Sequence, residues 1–238
     1  MTRTAVLVWP VVIVMVLLAA CGDAKTPRAE PAATPEATAR PAASVERATM
    51  PDSSRRTILF LGTSLTAGLG LDPDSAYPQQ LQRKIDERHL PYQTVNAGVS
   101  GETAAGLLRR LDWVLQRPAE VIVVETGAND GLRGQSVEGT REAIAEILDR
   151  IHRDRPEARV VLVQMEAPTN LGATYTRAFH AMFPALAAGH GATLIPFLLE
   201  GVAGHPELNQ ADGVHPNLEG ERRVMENVWR GLAPLLAR

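Results

Sequence analysis

The stretch ILFLGTSLTAGLG, residues 58 to 70, runs an apolar segment of strand length into Gly62 and then, with no spacer, into Thr63, Ser64, Thr66 and two further glycines. Gly, Ser and Thr are what turns and helix N-caps are made of. They also stand where the C-terminal edge of a parallel sheet meets a helix N-terminus, which is where α/β enzymes keep reactive groups. The residues just past the other strands decide between the two.

From Thr57 onwards, apolar runs of strand length alternate with longer amphipathic stretches. TILFLG (57 to 62), QTVNAG (93 to 98), EVIVVETG (120 to 127), ARVVLVQM (158 to 165) and ATLIPF (192 to 197) read as strands. Residues 76 to 89, 102 to 117, 136 to 154, 173 to 190 and 217 to 238 read as helices, the second ended by Pro118 and the fourth kinked at Pro184. Such alternation predicts an α/β domain with a parallel sheet covered on both faces. Right-handed crossovers make a three-layer αβα sandwich with five parallel strands, doubly wound, the simplest topology. All loops that come after strands then share one edge, so any site is expected just past the strand ends.

The segment before this domain differs in composition. Residues 1 to 20 hold a short basic start and the apolar run AVLVWPVVIVMVLLAA, which is too short and too interrupted by Pro10 for a spanning helix and reads as an export signal. Its end, Leu18-Ala19-Ala20-Cys21, resembles a bacterial lipobox, in which Cys21 carries the lipid. Residues 21 to 56, rich in Ala, Pro, Thr and Glu, read as a disordered tether, because they have too few large apolar side chains to offset chain entropy. The remainder, 57 to 238, is one domain of ordinary size. Together these readings predict an exported lipoprotein anchored to a membrane and facing the periplasm, with the outer membrane favoured because Gly22 is not acidic.

Cys21 is the only cysteine, which excludes an internal disulfide, a cysteine zinc site and a thiol nucleophile in the domain. The formal charge is -3 and no Lys/Arg block stands out, so nucleic acid is not expected as a partner. The chain is read as a monomer.

The predicted strand ends carry GTS (62 to 64), NAGVSG (96 to 101), GAND (127 to 130) and, before the last helix, ADGVHPN (211 to 217). A serine hydroxyl needs a base within hydrogen-bond reach and a carboxylate to orient that base. Of six histidines, His89, His152, His180 and His190 fall in or beside helices, and His205 sits in a polar loop. His215 comes three residues after Asp212 with Gly213 between, a spacing that lets the carboxylate hold one ring nitrogen while the other faces Ser64. An oxyanion needs donors. The Ser64 N–H, the Gly98 N–H and the Asn129 side chain are the candidates, each of which taken alone has a turn or capping role as its ordinary reading.

In this order and spacing, Ser64, Gly98, Asn129 and His215 resemble the four-block signature of the SGNH (GDSL-type) hydrolases. The likeness extends through LGTSLTAGLG, NAGVSGET, GAND, APTNLGATYTRAF and PFLLEGV to DGVHPN, and is similar to the arylesterase, thioesterase I and lysophospholipase L1 subgroup. The resemblance implies a flavodoxin-like fold and a serine esterase that needs neither metal nor cofactor. Ser64 would be nucleophile, His215 base and Asp212 its orienting acid, with Ser64, Gly98 and Asn129 as the oxyanion hole. It implies a short or medium acyl chain of a small ester, thioester or lipid, lying against Leu65 and the loop of Pro168, Leu171 and Tyr175. Two positions depart from the family: Thr63 stands where an Asp is usual, and Ala128 where Gly is common.

Other readings are an envelope carbohydrate O-acetyl esterase using the same triad, a non-catalytic flavodoxin-like module, and a zinc hydrolase built on His205, Asp212 and His215. The module is disfavoured because the first loop lacks both the G-x-x-x-x-G-K-[ST] and G-x-G-x-x-G phosphate patterns.

Overall fold

A computed structural model describes residues 54–237. The export signal, the lipidation at Cys21 and the tether up to residue 53 lie outside the described residues. The fold begins one residue before Thr57, because β1 spans Arg56–Gly62. Arg55 beside it is already engaged, its guanidinium 2.5 Å from Asp86.

The order of elements is β1, α1 (Ser64–Ala67), α2 (Tyr77–Glu87), β2 (Tyr92–Gly98), α3 (Ala104–Val114), β3 (Val121–Glu125), α4 (Ala128–Leu132), α5 (Val137–Asp154), β4 (Arg159–Val163), α6 (Ala173–Gly189), β5 (Thr193–Ile195) and α7 (Leu218–Leu236). The five strands form one parallel sheet in the order β2-β1-β3-β4-β5. Helices α2 and α7 pack on each other, as do α3 with α5 and α5 with α6, which supplies the two outer layers.

The hydrophobic pattern explains this order. Ile58, Leu59, Phe60 and Leu61 of β1 are all at or below 1% exposure, and Val121 to Val124 of β3 are fully buried, as central parallel strands covered on both faces must be. Strand β2, at the edge, is only partly buried along most of its length. The chain leaves β1 towards β2 on one side and later fills β3 on the other, so the β1/β3 boundary is a topological switch point, where open α/β sheets place their ligands.

Several elements stop short of the expected ends, each for a local reason. Strand β3 ends at Glu125 because Gly127 turns the chain at φ +90°. Strand β5 ends at Ile195 since Pro196 has no N–H for the ladder. Helix α3 ends at Val114 and tightens through Gln116 N–H to the Trp113 carbonyl before Pro118 is reached. Helix α6 remains helical through Pro184.

One buried polar thread crosses the core. The Tyr77 N–H donates to Glu221 Oε2 of α7 at 2.8 Å, and Glu221 is 1% exposed. Burial, more than any other influence, pushes its carboxyl up to about 8. A folded pKa above the unfolded one, about 4.3, means that the native state keeps a proton the unfolded chain has lost, so stability falls as pH rises between the two. We expect the urea unfolding free energy of the wild type to drop by about 2 kcal/mol or more between pH 5 and pH 8, and the drop to shrink in Glu221→Gln. Parallel slopes for the two proteins would show that Glu221 ionises freely in the fold.

Candidate active site

The loops after β1, β2 and β3 and the loop before α7 meet at the C-terminal edge of the sheet. Ser64 is the first residue of α1 and is 8% exposed. Its Oγ lies 2.9 Å from Nε2 of His215, across 151 residues of chain. Nδ1 of His215 lies 2.7 Å from Asp212 Oδ2. The other oxygen of Asp212 accepts the backbone N–H groups of Val214 and His215, at 2.9 and 3.0 Å. These bonds, the His215 N–H foremost and its imidazole next, hold the Asp212 carboxyl well below the usual carboxylate range. Gly213 permits the turn that brings them together, with φ at +68°. Asp212, kept an anion by these bonds, is placed to orient the ring with Nδ1 protonated, which would leave Nε2 facing the Ser64 hydroxyl as an acceptor.

The two loops are clamped by a residue that no sequence motif singled out. Nε2 of Gln210 donates to the Leu69 carbonyl at 2.7 Å and to the Pro216 carbonyl at 2.9 Å, joining the serine loop to the histidine loop. The Gln210 N–H donates to the His215 carbonyl at 2.7 Å.

Beneath Ser64 lies Glu125, fully buried at the end of β3. Its Oε2 accepts the Thr63 N–H at 2.7 Å and the Thr66 hydroxyl at 2.9 Å, and the Thr63 hydroxyl lies 3.0 Å from both oxygens. Burial raises the pKa of this carboxyl and the Thr63 and Thr66 bonds oppose the rise. The carboxylate grips the residue before Ser64 and the one two after it. The neutral hydroxyl at position 63 suits this partner, for an acid in its place would face a second carboxylate in a buried setting. Glu125 gave no sequence signal because it reads as the polar end of an apolar strand.

The candidate oxyanion donors divide differently from the expectation. Asn129 donates from Nδ2 to the Glu102 carbonyl at 2.9 Å, which fixes its amide. Glu102 is itself held by Arg110, bound to both carboxylate oxygens at 2.7 Å. Gly98, however, is not a free donor: its N–H is taken by Asn96 Oδ1 at 2.9 Å, and a Cβ there would come within 2.5 Å of the Ala67 nitrogen. Its glycine is required by close packing under α1. Three residues on, Gly101 has φ +77°, and its N–H makes no hydrogen bond among the described residues. It adjoins Glu102 and so lies beside the carbonyl that holds Asn129. The Ser64 N–H, at the start of a helix, also lacks an intrahelical acceptor.

A cavity of about 720 Å³ opens beside Ser64 and His215. Leu65 and Pro168 line it, together with Met165, Phe197, Leu199 and Val214. Leu171 and Tyr175 do not: Tyr175 stacks on Phe179 at 6.0 Å and gives its hydroxyl to the Gln135 carbonyl, and Leu171 packs against the core. His205 pairs with Glu207 at 3.2 Å instead of joining His215, and no cluster of three metal-ligating side chains occurs among the described residues.

The chain is similar to known proteins. The profile of the GDSL-like lipase/acylhydrolase family matches residues 60–223. Esterase TesA of Pseudomonas aeruginosa is 39% identical over 186 residues, 77% of this chain and 91% of that protein. Thioesterase 1/protease 1/lysophospholipase L1 of Escherichia coli is 35% identical over 76% of this chain and 85% of its own length. Arylesterase of Vibrio mimicus is 33% identical over 74% of this chain and 87% of its own. The crystal structure of TesA superposes with a TM-score of 0.73 at 38% identity, covering 76% of this chain and 100% of the other. The psychrotrophic esterase EstA from Pseudoalteromonas sp., solved in a form inhibited by monoethylphosphonate, gives the same TM-score at 31% identity, covering 77% and 100%.

Removing Glu125 leaves the Thr63 N–H and two hydroxyls without their acceptor in a dry site. Glu125→Ala is expected to lower the unfolding free energy by about 1–3 kcal/mol, read from urea melts, and to reduce ester turnover in the protein that remains folded. An unchanged midpoint would show that solvent or rotated hydroxyls replace the carboxylate without loss of stability.

Proposed function

The chain belongs to the GDSL-like lipase/acylhydrolase family and is a serine esterase, and from that premise we propose that Ser64 is its nucleophile, His215 its general base and Asp212 the acid that orients His215. The observation that carries the assignment is the unbroken line from Asp212 Oδ2 through both His215 nitrogens to Ser64 Oγ, at 2.7 and 2.9 Å. Oγ attacks the ester or thioester carbonyl as its proton passes to Nε2, forming a tetrahedral oxyanion. The Ser64 and Gly101 N–H groups and the Asn129 amide receive that charge. The oxyanion collapses with the leaving alcohol or thiol taking the proton from Nε2. Water, giving a proton to the same nitrogen, then attacks the acyl-enzyme, and the second oxyanion collapses by breaking the Oγ–acyl bond, Ser64 Oγ taking the proton back from Nε2 as the acid leaves.

The substrates we infer are small esters and thioesters of short to medium acyl chains, as for an arylesterase or lysophospholipase. The apolar walls and volume of the cavity support a chain longer than acetyl, and so favour this reading over a carbohydrate O-acetyl esterase. The signal-like start and Cys21 support an exported lipoprotein, held at a membrane by its N-terminal lipid and facing the periplasm.

Three variants test the roles. Ser64→Ala is expected to abolish hydrolysis of p-nitrophenyl butyrate and the mass adduct left by an ethyl phosphonate ester. Asp212→Asn should lower kcat about 10⁴-fold with the fold intact, because the ring then favours the wrong tautomer. Asn129→Ala should cost about 10²–10³-fold in kcat with little change in KM. A phosphonate adduct on any residue other than Ser64 would overturn the assignment. For the anchor, Cys21→Ala should abolish metabolic labelling with palmitate in cells; label retained by the variant would remove Cys21 from that role.

A further inference from the structure

The cavity beside Ser64 is apolar on most sides, but among the described residues its lining carries one carboxylate, Glu166, just past the end of β4, and no Lys or Arg. This acid is built in. Its Oε1 accepts from Gln164 Nε2 at 2.7 Å and lies 2.6 Å from His180 Nδ1, two partners on β4's extension and on α6 that fix where the group points. Among the described residues its Oε2 takes no hydrogen bond. The Glu166 side chain is 29% exposed, half sheltered by the cavity wall. Two nearby charged groups have partners of their own. Asp212 is bound to His215 and lies outside the lining, and Arg133 gives its guanidinium to the Gly101 carbonyl at 3.0 Å and is also outside it.

An oriented carboxylate in a partly apolar pocket acts on whichever part of the substrate enters beside it. A cation there replaces some of the water lost by the carboxylate, a neutral group does not, and an anion is repelled, more so where the surroundings are less polar than bulk water. We propose that Glu166 is a charge-reading subsite that makes this esterase favour esters bearing a cationic group, such as a quaternary ammonium, over neutral ones, and disfavour polyanionic thioesters of the acyl-CoA class. The proposal deepens the esterase reading of the same site and rests on it. His180 and Gln164 are positioning residues in this scheme: they hold Glu166 by one oxygen and leave the other to the ligand.

Three thiobutyrates with one acyl group and one readout, release of thiol, test it on the purified full chain: butyrylthiocholine, its uncharged isostere 3,3-dimethylbutyl thiobutyrate, and butyryl-CoA. The wild type should rank them in that order by kcat/KM. In Glu166→Gln the cationic-to-neutral ratio is expected to fall about three- to tenfold and the CoA-to-neutral ratio to rise comparably. Without any variant, raising the salt from about 0.01 M to about 1 M should shrink the wild-type cationic preference, since the interaction is partly exposed to solvent. Ratios that are the same in wild type and Glu166→Gln, or a cationic preference indifferent to salt, overturn the proposal while turnover of the neutral thioester upholds the esterase. A wild type that cleaves none of the three overturns the proposal, and one that also leaves p-nitrophenyl butyrate intact overturns the esterase reading.

Discussion

The structure turns on a carboxylate placed where water cannot reach it. Glu125 closes the central strand β3 and holds, by its two oxygens, the backbone and hydroxyl of Thr63 and the hydroxyl of Thr66. Thr66 in turn meets the Tyr77 hydroxyl at 2.8 Å, and the Tyr77 N–H meets Glu221 on α7. One hydrogen-bonded thread thus runs from the middle of the sheet, under the serine, to the closing helix. A buried ionisable group is tolerated when its oxygens are satisfied and costly when they are not. Every residue on this thread is therefore constrained by the next. Gly62 is part of the same constraint, because a Cβ there would lie 2.8 Å from Glu125 Oε2.

The neutral hydroxyl at position 63 is compatible with this constraint. Where the family has an acid, a chain with Glu125 in contact would hold two buried carboxyls side by side, one of which must keep a proton. Thr63 fills the place as a donor of both N–H and O–H, and it also caps α1 through the Leu65 N–H. Ser64 is aimed from below by β3 and α1, and from above by the loop that carries His215. Gln210 joins the two through the carbonyls of Leu69, Pro216 and His215, so Ser64 and His215 are positioned largely by backbone bonds and not by their own side chains.

The charge around the cleft is distributed unevenly. Asp212 directs its charge at His215 and two backbone N–H groups. Glu166, on the β4 side, gives only one oxygen to protein donors. The Ser64–His215 side of the cleft thus has its carboxylate fully bound, and the opposite side keeps one carboxylate oxygen without a protein donor among the described residues, against mostly apolar walls. A cleft of this kind separates making the nucleophile from choosing the substrate.

The α/β class, the five strands, the αβα layering and the placement of Ser64, Asn129, Asp212 and His215 after strands or before the last helix were legible from the sequence. Hydrophobic runs buried on both faces and helices of period 3.6 leave few topologies. The Asp212–His215 pairing was legible for the same kind of reason, since three residues with a glycine between them form a local turn. What lay beyond reach was whatever depended on contacts distant in sequence. Glu125 looks like any polar strand terminus, because the Thr63 that it holds is 62 residues away along the chain. Gly98 and Gly101 are both plausible donors in NAGVSG until Asn96 claims one N–H and leaves the other. Leu171 and Tyr175 follow Pro168 closely in sequence, but the 3₁₀ turn at Thr169–Leu171 and the place of Tyr175 on α6, stacked on Phe179, carry them away from the cavity. Local pattern determined the elements and their order; the direction of each side chain, and so which carboxylate aims the serine and which one faces the substrate, was decided by tertiary packing, because hydrogen bonds in a dry site depend on distance in space and not on separation along the chain.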